Sequence, residues 1–292
     1  MFYKNIFSVL VLCGFVILYL IIPYTIFASE EKLVIAHRGA SGYIPEHTLE
    51  SSVLAYAMKA DYLELDVVMT SDRHLIIMHD LTLNGTTNVD EIFPNRSGTN
   101  GKHFTMEFSL AEVKRLRVHE RSNKRGSGPA FIGRFPYQSS IFEVPTLEEI
   151  FRLVKGLEKS HGRTMGLYIE IKGAEIHRKY NLDPVTDLLA ILERYGYLEA
   201  ADPIWIQSFD VEVLKTMRYK HKTRLKLSQL IGENSWRISE TDFDYLKTKT
   251  GLQEVAGYAD GIGPWMHNVL TGKDLAGNLK LTGIVSIAHQ LN

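Results

Sequence analysis

The stretch VIAHRGASGYIPEHT, residues 34–48, decides the predicted fold of this chain. An apolar run ends there in His37 and Arg38, glycines then bend the chain, and Thr48 has the side chain of a helix N-cap. This order predicts a strand, a turn and a helix, with an imidazole and a guanidinium side by side at the end of the strand. A proton-transfer group beside an anion-binding group suits phosphoryl-group chemistry.

Three later stretches also combine an apolar strand with charged side chains. They are YLELDVVM at 62–69, LIIMHD at 75–80 and GLYIEIK at 166–172. Side chains alternate between the two faces of a strand, so Glu64 and Asp66 share one face, as do Glu170 and Lys172. His79 ends the strand at 75–79, which lies between the other two in the sequence. Two carboxylates on one strand face repel each other unless a cation lies between them.

Strand-like and helix-like segments alternate along most of the chain, which is typical of an α/β protein with parallel strands. The predicted strands are 33–37, 62–69, 75–79, 166–172, 203–208, 225–231 and 257–263. Residues 70–74 are too few for a helical crossover, so the second and third strands should form an antiparallel hairpin. We therefore expect an irregular (β/α)8 TIM-type barrel, with the charged motifs at the C-terminal strand ends where such barrels build active sites.

These motifs, with QSFD at 207–210 and GIGP at 261–264, resemble those of the glycerophosphodiester phosphodiesterases, most closely the periplasmic subgroup. The resemblance runs from about residue 33 to residue 292. It implies a TIM-type barrel that hydrolyses glycerophosphodiesters, such as glycerophosphocholine and glycerophosphoethanolamine, to glycerol 3-phosphate and an alcohol. It also implies that His37 and His79 act as general base and general acid, and the sequence leaves their order open.

The carboxylates of Glu64, Asp66 and Glu170 should converge at the barrel mouth, although each could instead lie on a solvated strand face. Three oxygen donors suit Ca²⁺ or Mg²⁺ far better than zinc. We expect one divalent cation here, with Ca²⁺ favoured over Mg²⁺. Arg38 and Lys172 are expected to bind the substrate phosphate, a role that is compatible with salt bridges to the same carboxylates.

Residues 1–28 are predicted to be a signal peptide. Lys4 and the free amine precede an apolar run from Ile6 to Ile22, and Ala28 could end a cleavable signal. The run is long for a signal and slightly short for a spanning helix, so an uncleaved anchor is the alternative. We expect a periplasmic or secreted protein that contacts a membrane only through this leader, if it stays uncleaved.

Composition excludes some classes of partner. The 292 residues carry a formal net charge of −1 and no block of like charge, so no nucleic-acid partner is expected. The single cysteine, Cys13, lies in the leader, and the mature chain can form no disulfide. The expected partner is a small-molecule glycerophosphodiester.

Residues 29–292 are predicted to form the barrel, with an inserted subdomain at 80–140 after the third strand. The chain between the third and fourth strands is too long for one βα connection. Capping boxes that begin at Ser109 and Thr146 start helices, and the second should start the barrel helix before the fourth strand.

The end of the chain departs from the family pattern. It stops at Asn292 in what looks like a helix leading to a strand, whereas the resemblance implies one or two further strands. We therefore expect a missing C-terminal end and an unpaired sheet edge, which would lower solubility or activity. In addition, Trp265 follows the GIGP motif, where relatives carry an acidic residue.

Two other functions remain open on sequence grounds. The chain could be a non-catalytic or inactive fragment that binds phosphodiesters, an alternative that the apparent truncation favours and the intact motifs oppose. It could also be a phospholipase-type phosphodiesterase that acts on intact lipids, although no basic amphipathic helix supports this. Glu46 and His47 are interpreted as bracing the loop before the first helix.

Overall fold

The computed structural model describes residues 32–291, and the predicted signal peptide at 1–28 lies outside them. The main sheet contains seven strands. They are β1 (Ile35–Ala36), β2 (Tyr62–Met69), β3 (Leu75–Ile77), β4 (Gly166–Ile171), β5 (Ile204–Ser208), β6 (Lys226–Ile231) and β7 (Gly261–Pro264). Within this described part of the chain, no helix is both long enough and apolar enough to cross a membrane.

Helices follow most of the strands. They are α1 (Leu49–Ala57), α2 (Val89–Ile92), α3 (Leu110–Val113), α4 (Leu147–His161), α5 (Ala174–Lys179), α6 (Pro184–Arg194), α7 (Val211–Lys215), α8 (Phe243–Leu246), α9 (Lys249–Ala256), α10 (Met266–Val269) and α11 (Ile284–His289). The hydroxyl of Thr48 accepts a hydrogen bond from the backbone of α1, and Ser109 and Thr146 form complete capping boxes on α3 and α4. These three predicted helix starts are confirmed.

The sheet is an open half-barrel. Its strands lie in the order β1-β2-β4-β5-β6-β7 and are all parallel, while β3 runs antiparallel to the end of β2. The predicted α/β fold of TIM type, with an irregular hairpin at the second and third strands, is confirmed. Among residues 32–291, no pairing joins β7 to β1.

The two faces of β2 have different surroundings. Leu63, Leu65 and Val67 are fully buried in the main core between the sheet and its helices, as the period of two predicts. The opposite face carries Glu64 and Asp66 and therefore presents its carboxylates to the inside of the half-barrel. One face of β2 therefore packs in the hydrophobic core, and the other face carries the carboxylates of the candidate site.

The segment between β3 and α4 packs on a second core. Its apolar side chains lie over the end of the β2–β3 hairpin, and they include Leu83, Val89, Phe93, Phe108, Val113 and Leu116. Isolated bridges, such as the one between Thr87 and Val118, hold the segment together. The boundaries 80–140 for an inserted subdomain stay a prediction.

The last described residues hold a hairpin that the sequence did not predict. Strands β8 (Leu270–Lys273) and β9 (Leu279–Leu281) pair antiparallel, and the expected terminal helix follows as α11. Leu279 and Leu281 are exposed, so the hairpin buries no apolar face. A strand without a buried face has no alternation for sequence analysis to detect.

Alanine substitutions at two helical glycines should change the stability of the protein in opposite directions. A Cβ at Gly251 in α9 would lie 2.2 Å from the carbonyl oxygen of Tyr245, whereas a Cβ at Gly156 in α4 would meet nothing within 4 Å. Because backbone cannot yield as a side chain does, Gly251→Ala should cost about 1–3 kcal/mol of unfolding free energy. Gly156→Ala should stabilise by about 0.5–1 kcal/mol. Urea unfolding of both variants measures these two changes in unfolding free energy. Equal changes in the two variants would contradict the prediction.

Candidate active site

The ends of the first four strands bring every predicted site residue to one edge of the sheet. His37 and Arg38 directly follow β1, and Lys172 directly follows β4. His79 follows β3 after one intervening residue. The parallel register places Asp66 of β2 opposite Glu170 of β4, and Glu170 opposite Gln207 of β5. Parallel strands with this register explain why residues more than 100 positions apart in the sequence meet.

Glu64, Asp66 and Glu170 form a buried acidic cluster. One oxygen from each carboxylate lies within 4.8 Å of the other two. Burial, Asp66 and Glu170 together raise the pKa of Glu64 well above its usual range. Burial and Asp66 raise the pKa of Glu170 to about 8. These shifts mean that the positive charge around the cluster is too small to keep all three carboxylates ionised.

Two cations lie against the cluster. The Lys172 ammonium is 2.7 Å from Glu170 Oε1 and 3.2 Å from Asp66 Oδ1. The backbone N–H of Arg38 donates to Glu64 Oε2 over 2.8 Å, and its Nε lies 3.6 Å from Asp66 Oδ2. Burial alone would raise the pKa of Asp66, but Lys172 and His47 outweigh it and hold that pKa well below its usual range. The cations therefore neutralise Asp66 more completely than its neighbours.

The donor set fits a divalent cation. Asp66 Oδ1 is buried and accepts no hydrogen bond, although the Lys172 ammonium is close to it. A buried carboxylate oxygen without a partner is costly, and a cation would satisfy it. Three carboxylates and no sulfur or imidazole within the cluster suit a hard ion such as Ca²⁺ or Mg²⁺. The cluster could therefore hold the expected metal.

The loop after β1 is strained and locked. Arg38 and His47 both adopt positive φ, at 60° and 61°, a region that side chains other than glycine avoid. The N–H of His47 donates to the Arg38 carbonyl over 3.1 Å, and its Nε2 is 2.8 Å from Asp66 Oδ2. Strain of this kind persists only where contacts enforce it, and it is common at functional sites. His47 thus contacts the site itself and does more than brace the loop.

Arg121 is a site residue that the sequence did not reveal. It comes from the segment after β3, donates to both oxygens of Glu46 over 3.0 and 2.6 Å, and donates to Asp80 over 2.7 Å. Asp80 in turn is 2.6 Å from His79 Nδ1, and Glu46 is 3.0 Å from Arg38 Nη1. One guanidinium therefore links the partner of His79 to the partner of Arg38. Arg121 stands in no motif, so no sequence signal could have identified it.

Gln207 is a second residue without a predicted role, although its motif was part of the resemblance. Its side-chain N–H donates to Glu64 Oε1 over 3.2 Å, and its side chain is buried. The neighbouring Glu64 oxygen accepts from the Arg38 backbone. Gln207 therefore orients a carboxylate of the acidic cluster.

Glu46 should contribute pH-dependent stability. Burial raises its pKa, but the hydrogen bonds and charge of Arg121 outweigh it and lower that pKa from 4.5 to about 2. The stabilisation is then fully present above pH 4.5 and is lost as the pH falls towards 2, and the shift corresponds to about 3 kcal/mol. Glu46→Gln should be less stable than the parent at pH 7 by about that amount, and the difference should shrink in acid. Urea unfolding at several pH values measures it.

The exposed Glu193 supplies a control, since Glu193→Gln removes a carboxylate from the solvent face of α6. The unfolding free energy of Glu193→Gln should equal that of the parent protein at every pH. A Glu46→Gln penalty that stays constant from pH 7 to pH 2.5 would contradict the role of Glu46 as an ionised partner of Arg121.

Comparison with known proteins identifies the family. Residues 37–292 match the model of the glycerophosphoryl diester phosphodiesterase family. A glycerophosphodiester phosphodiesterase from Haemophilus influenzae is 36% identical over 90% of this chain and 77% of its own length. One from Treponema pallidum is 32% identical over 88% of this chain and 77% of its own length. A solved structure from Silicibacter pomeroyi, named for the same family, has a TM-score of 0.65 at 26% identity and covers 89% of this chain and 79% of its own.

The chain therefore belongs to the glycerophosphoryl diester phosphodiesterase family. The enzyme class and the fold expected from the sequence motifs are both confirmed.

Proposed function

We propose that this chain is a metal-dependent phosphodiesterase that hydrolyses glycerophosphodiesters to glycerol 3-phosphate and an alcohol. The observation that carries the proposal is the buried cluster of Glu64, Asp66 and Glu170 beside Lys172, at the strand ends that also present two histidines. The Haemophilus influenzae and Treponema pallidum relatives, which are 36% and 32% identical over most of this chain, are named for the same activity.

The chemistry would use the substrate's own glycerol hydroxyl. One histidine removes the proton from this hydroxyl, and its oxygen forms a bond to phosphorus. The bond from phosphorus to the leaving alcohol breaks as the other histidine donates a proton to that alcohol. Water then opens the cyclic phosphate with the two histidines in reversed roles, which leaves glycerol 3-phosphate and restores both protonation states.

The surroundings of the two histidines favour one assignment. Desolvation in the site and the charge of Arg38 lower the pKa of His37, so this imidazole is neutral and ready to accept a proton. Burial lowers the pKa of His79 as well, and the hydrogen bond to Asp80 offsets that lowering only in part. Asp80 also orients the ring through Nδ1. We therefore assign His37 as the first base and His79 as the first acid.

The charged groups would hold the phosphoryl oxygens. Lys172 and Arg38 are largely buried and fixed by the carboxylates, so their positions are set before substrate arrives. A divalent cation held by Glu64, Asp66 and Glu170 would supply positive charge against the phosphoryl oxygens. We expect Ca²⁺ rather than Mg²⁺, because Ca²⁺ tolerates the irregular geometry of side chains from two strands.

The deciding experiment is the release of glycerol 3-phosphate from glycerophosphocholine and glycerophosphoglycerol by the purified chain, with Ca²⁺, with Mg²⁺ and with chelator. We expect release from both substrates with a metal ion and none with chelator. A folded chain that binds glycerol 3-phosphate without hydrolysing either diester would instead be the phosphodiester-binding protein that the sequence left open. Hydrolysis of phosphatidylcholine at a higher kcat/KM than glycerophosphocholine would favour an enzyme of intact lipids.

A further inference from the structure

Arg121 is held between two carboxylates of the candidate active site, although it lies on none of the strands that build this site. It comes from the segment between β3 and α4. Its Nε and Nη2 donate to the two oxygens of Glu46 over 3.0 and 2.6 Å, and its Nη1 donates to Asp80 Oδ2 over 2.7 Å. A planar guanidinium can bind two carboxylates in this way, whereas the single ammonium of a lysine cannot reproduce the fork.

The backbone beside Arg121 is anchored to the turn that follows Asp80. The N–H of Ser122 donates to the Gly85 carbonyl over 2.9 Å, and the N–H of Ala130 donates to the Arg121 carbonyl over 2.7 Å. The Arg121 side chain is only 18% exposed. Its backbone and its two carboxylates therefore fix the direction of the guanidinium before any substrate arrives.

The packing around Asp80 leaves no room for a side chain at Gly85. A Cβ at Gly85 would lie 2.6 Å from Asp80 Oδ2 and 3.5 Å from Arg121 Nη1. Asp80 has little freedom to move away, because its other oxygen lies 2.6 Å from His79 Nδ1. The Asp80 carboxylate is thus fixed by two charged partners and by the backbone of Gly85.

Each carboxylate that Arg121 holds also contacts one group of the proposed reaction. Asp80 contacts the ring of His79, which is the first acid, and Glu46 Oε1 accepts a hydrogen bond from Arg38 Nη1 over 3.0 Å. If either carboxylate could rotate, the group that it holds could rotate with it. Misplacing a reacting group by about 1 Å can cost about 100-fold in rate.

We propose that Arg121 is a positioning residue for both groups. Through Asp80 it orients the ring that protonates the leaving alcohol, and through Glu46 it orients Arg38 towards the phosphate. The proposal rests on the proposed function and goes beyond it, because it assigns a part in the reaction to the segment between β3 and α4.

The test compares two substrates that differ in their need for an acid. Arg121→Ala should lower kcat for glycerophosphocholine about 10- to 100-fold in saturating Ca²⁺, because the acid is no longer held against the leaving oxygen. The 4-nitrophenyl ester of glycerol 3-phosphate releases an acidic phenol that needs little protonation, so its kcat should fall about tenfold less. KM should rise about 2- to 10-fold for both esters, since Arg38 holds the phosphate of either one.

The ratio of the two kcat values is measured on one protein sample, so any unfolded fraction of a variant cancels from it. Arg121→Lys keeps the charge but cannot hold both carboxylates, and it should restore only part of the lost kcat. Gly85→Ala keeps every charge and displaces Asp80, so it should reproduce the dependence on the leaving group with little change in KM. Arg125→Ala is the matched control, because Arg125 is exposed in the same segment, and its kcat and KM should equal those of the parent.

Nitrogen-15 NMR of the histidine rings gives a readout that needs no turnover. A His79→Gln spectrum assigns the signals of His79, and its pKa is then measured in the parent and in Arg121→Ala. His79 and Arg121 share the negative charge of Asp80, so removal of Arg121 should raise the pKa of His79. The basic limb of the kcat profile should move to higher pH accordingly. The variant retains the other charged groups near the ring, which are Lys172, Asp66 and Arg38.

Each contrary result has a definite meaning. Equal losses of kcat on both esters in Arg121→Ala, with an unchanged titration of His79, would show that Arg121 only supports the fold. Parent values of kcat and KM in Arg121→Ala would overturn the proposal outright. If the parent hydrolysed neither ester, the proposed function would fail, and the titration of His79 would still decide whether Arg121 acts on that ring.

Discussion

Alanine at either His37 or His79 should lower kcat about 10²- to 10⁴-fold, the usual contribution of a positioned general acid or base. The expected loss is large because each histidine handles a different proton. Glycerol 3-phosphate release under saturating substrate measures it. The two variants should differ in one respect, because a substrate with a more acidic leaving alcohol needs less protonation. Such a substrate should restore part of the rate to His79→Ala and less to His37→Ala.

His161→Ala is the matched control, since His161 is exposed in the last turn of α4. Its kcat should equal that of the parent. Near-normal rates for both His37→Ala and His79→Ala would remove the acid–base assignment. A larger rescue of His37→Ala by the activated leaving group would reverse the order of base and acid.

The second large effect concerns the metal. Chelation should abolish turnover, and Ca²⁺ or Mg²⁺ should restore it. Glu64→Gln keeps the size of the side chain and removes its charge, so cation affinity should fall at least about tenfold. Isothermal calorimetry of the purified protein with each ion measures this affinity directly, and Glu193→Gln should bind the ions as the parent does.

Melting temperatures give the metal prediction a second readout. Burial and the charges of Asp66 and Glu170 make an ionised Glu64 unfavourable when no cation is bound. Glu64→Gln should therefore melt above the parent in chelator and below it in saturating Ca²⁺, because a ligand that binds the folded state stabilises it. Full activity of Glu64→Gln in chelator, or the same order of melting temperatures in both buffers, would exclude the three-carboxylate site.

Much of this site could be predicted because its residues lie on strands. The period of two in YLELDVVM separates Glu64 and Asp66 from the apolar face whatever the rest of the chain does. The same rule applies to Glu170 and Lys172. Strand ends in a parallel sheet share one edge, so the His-Arg pair could be placed beside the carboxylates before any distance was known. His79 comes to the same place because β3 runs back antiparallel along the end of β2. The hairpin of β2 and β3 also followed from the length of a single connection.

The contacts that connect these groups could not be predicted in the same way. Arg121 lies in a segment of irregular structure, where no periodicity relates a residue number to a direction in space. Its contacts with Glu46 and Asp80 exist only because the second core fixes that segment against the β2–β3 hairpin. The distortion of His47 and its contact with Asp66 likewise depend on how the loop closes over the sheet.

The sequence by itself determined the family, the parallel sheet, and the identity of the groups at its C-terminal edge, because alternation and chain order are local properties. Only the tertiary structure decided the charge balance of the site. Burial raises the pKa of Glu64 and Glu170 while Lys172 and His47 neutralise Asp66, and these effects depend on distances of a few ångströms between strands. The contacts among Phe209, Trp236 and Trp265 were decided in the same way, since these rings become neighbours only when the ends of β5, β6 and β7 lie side by side.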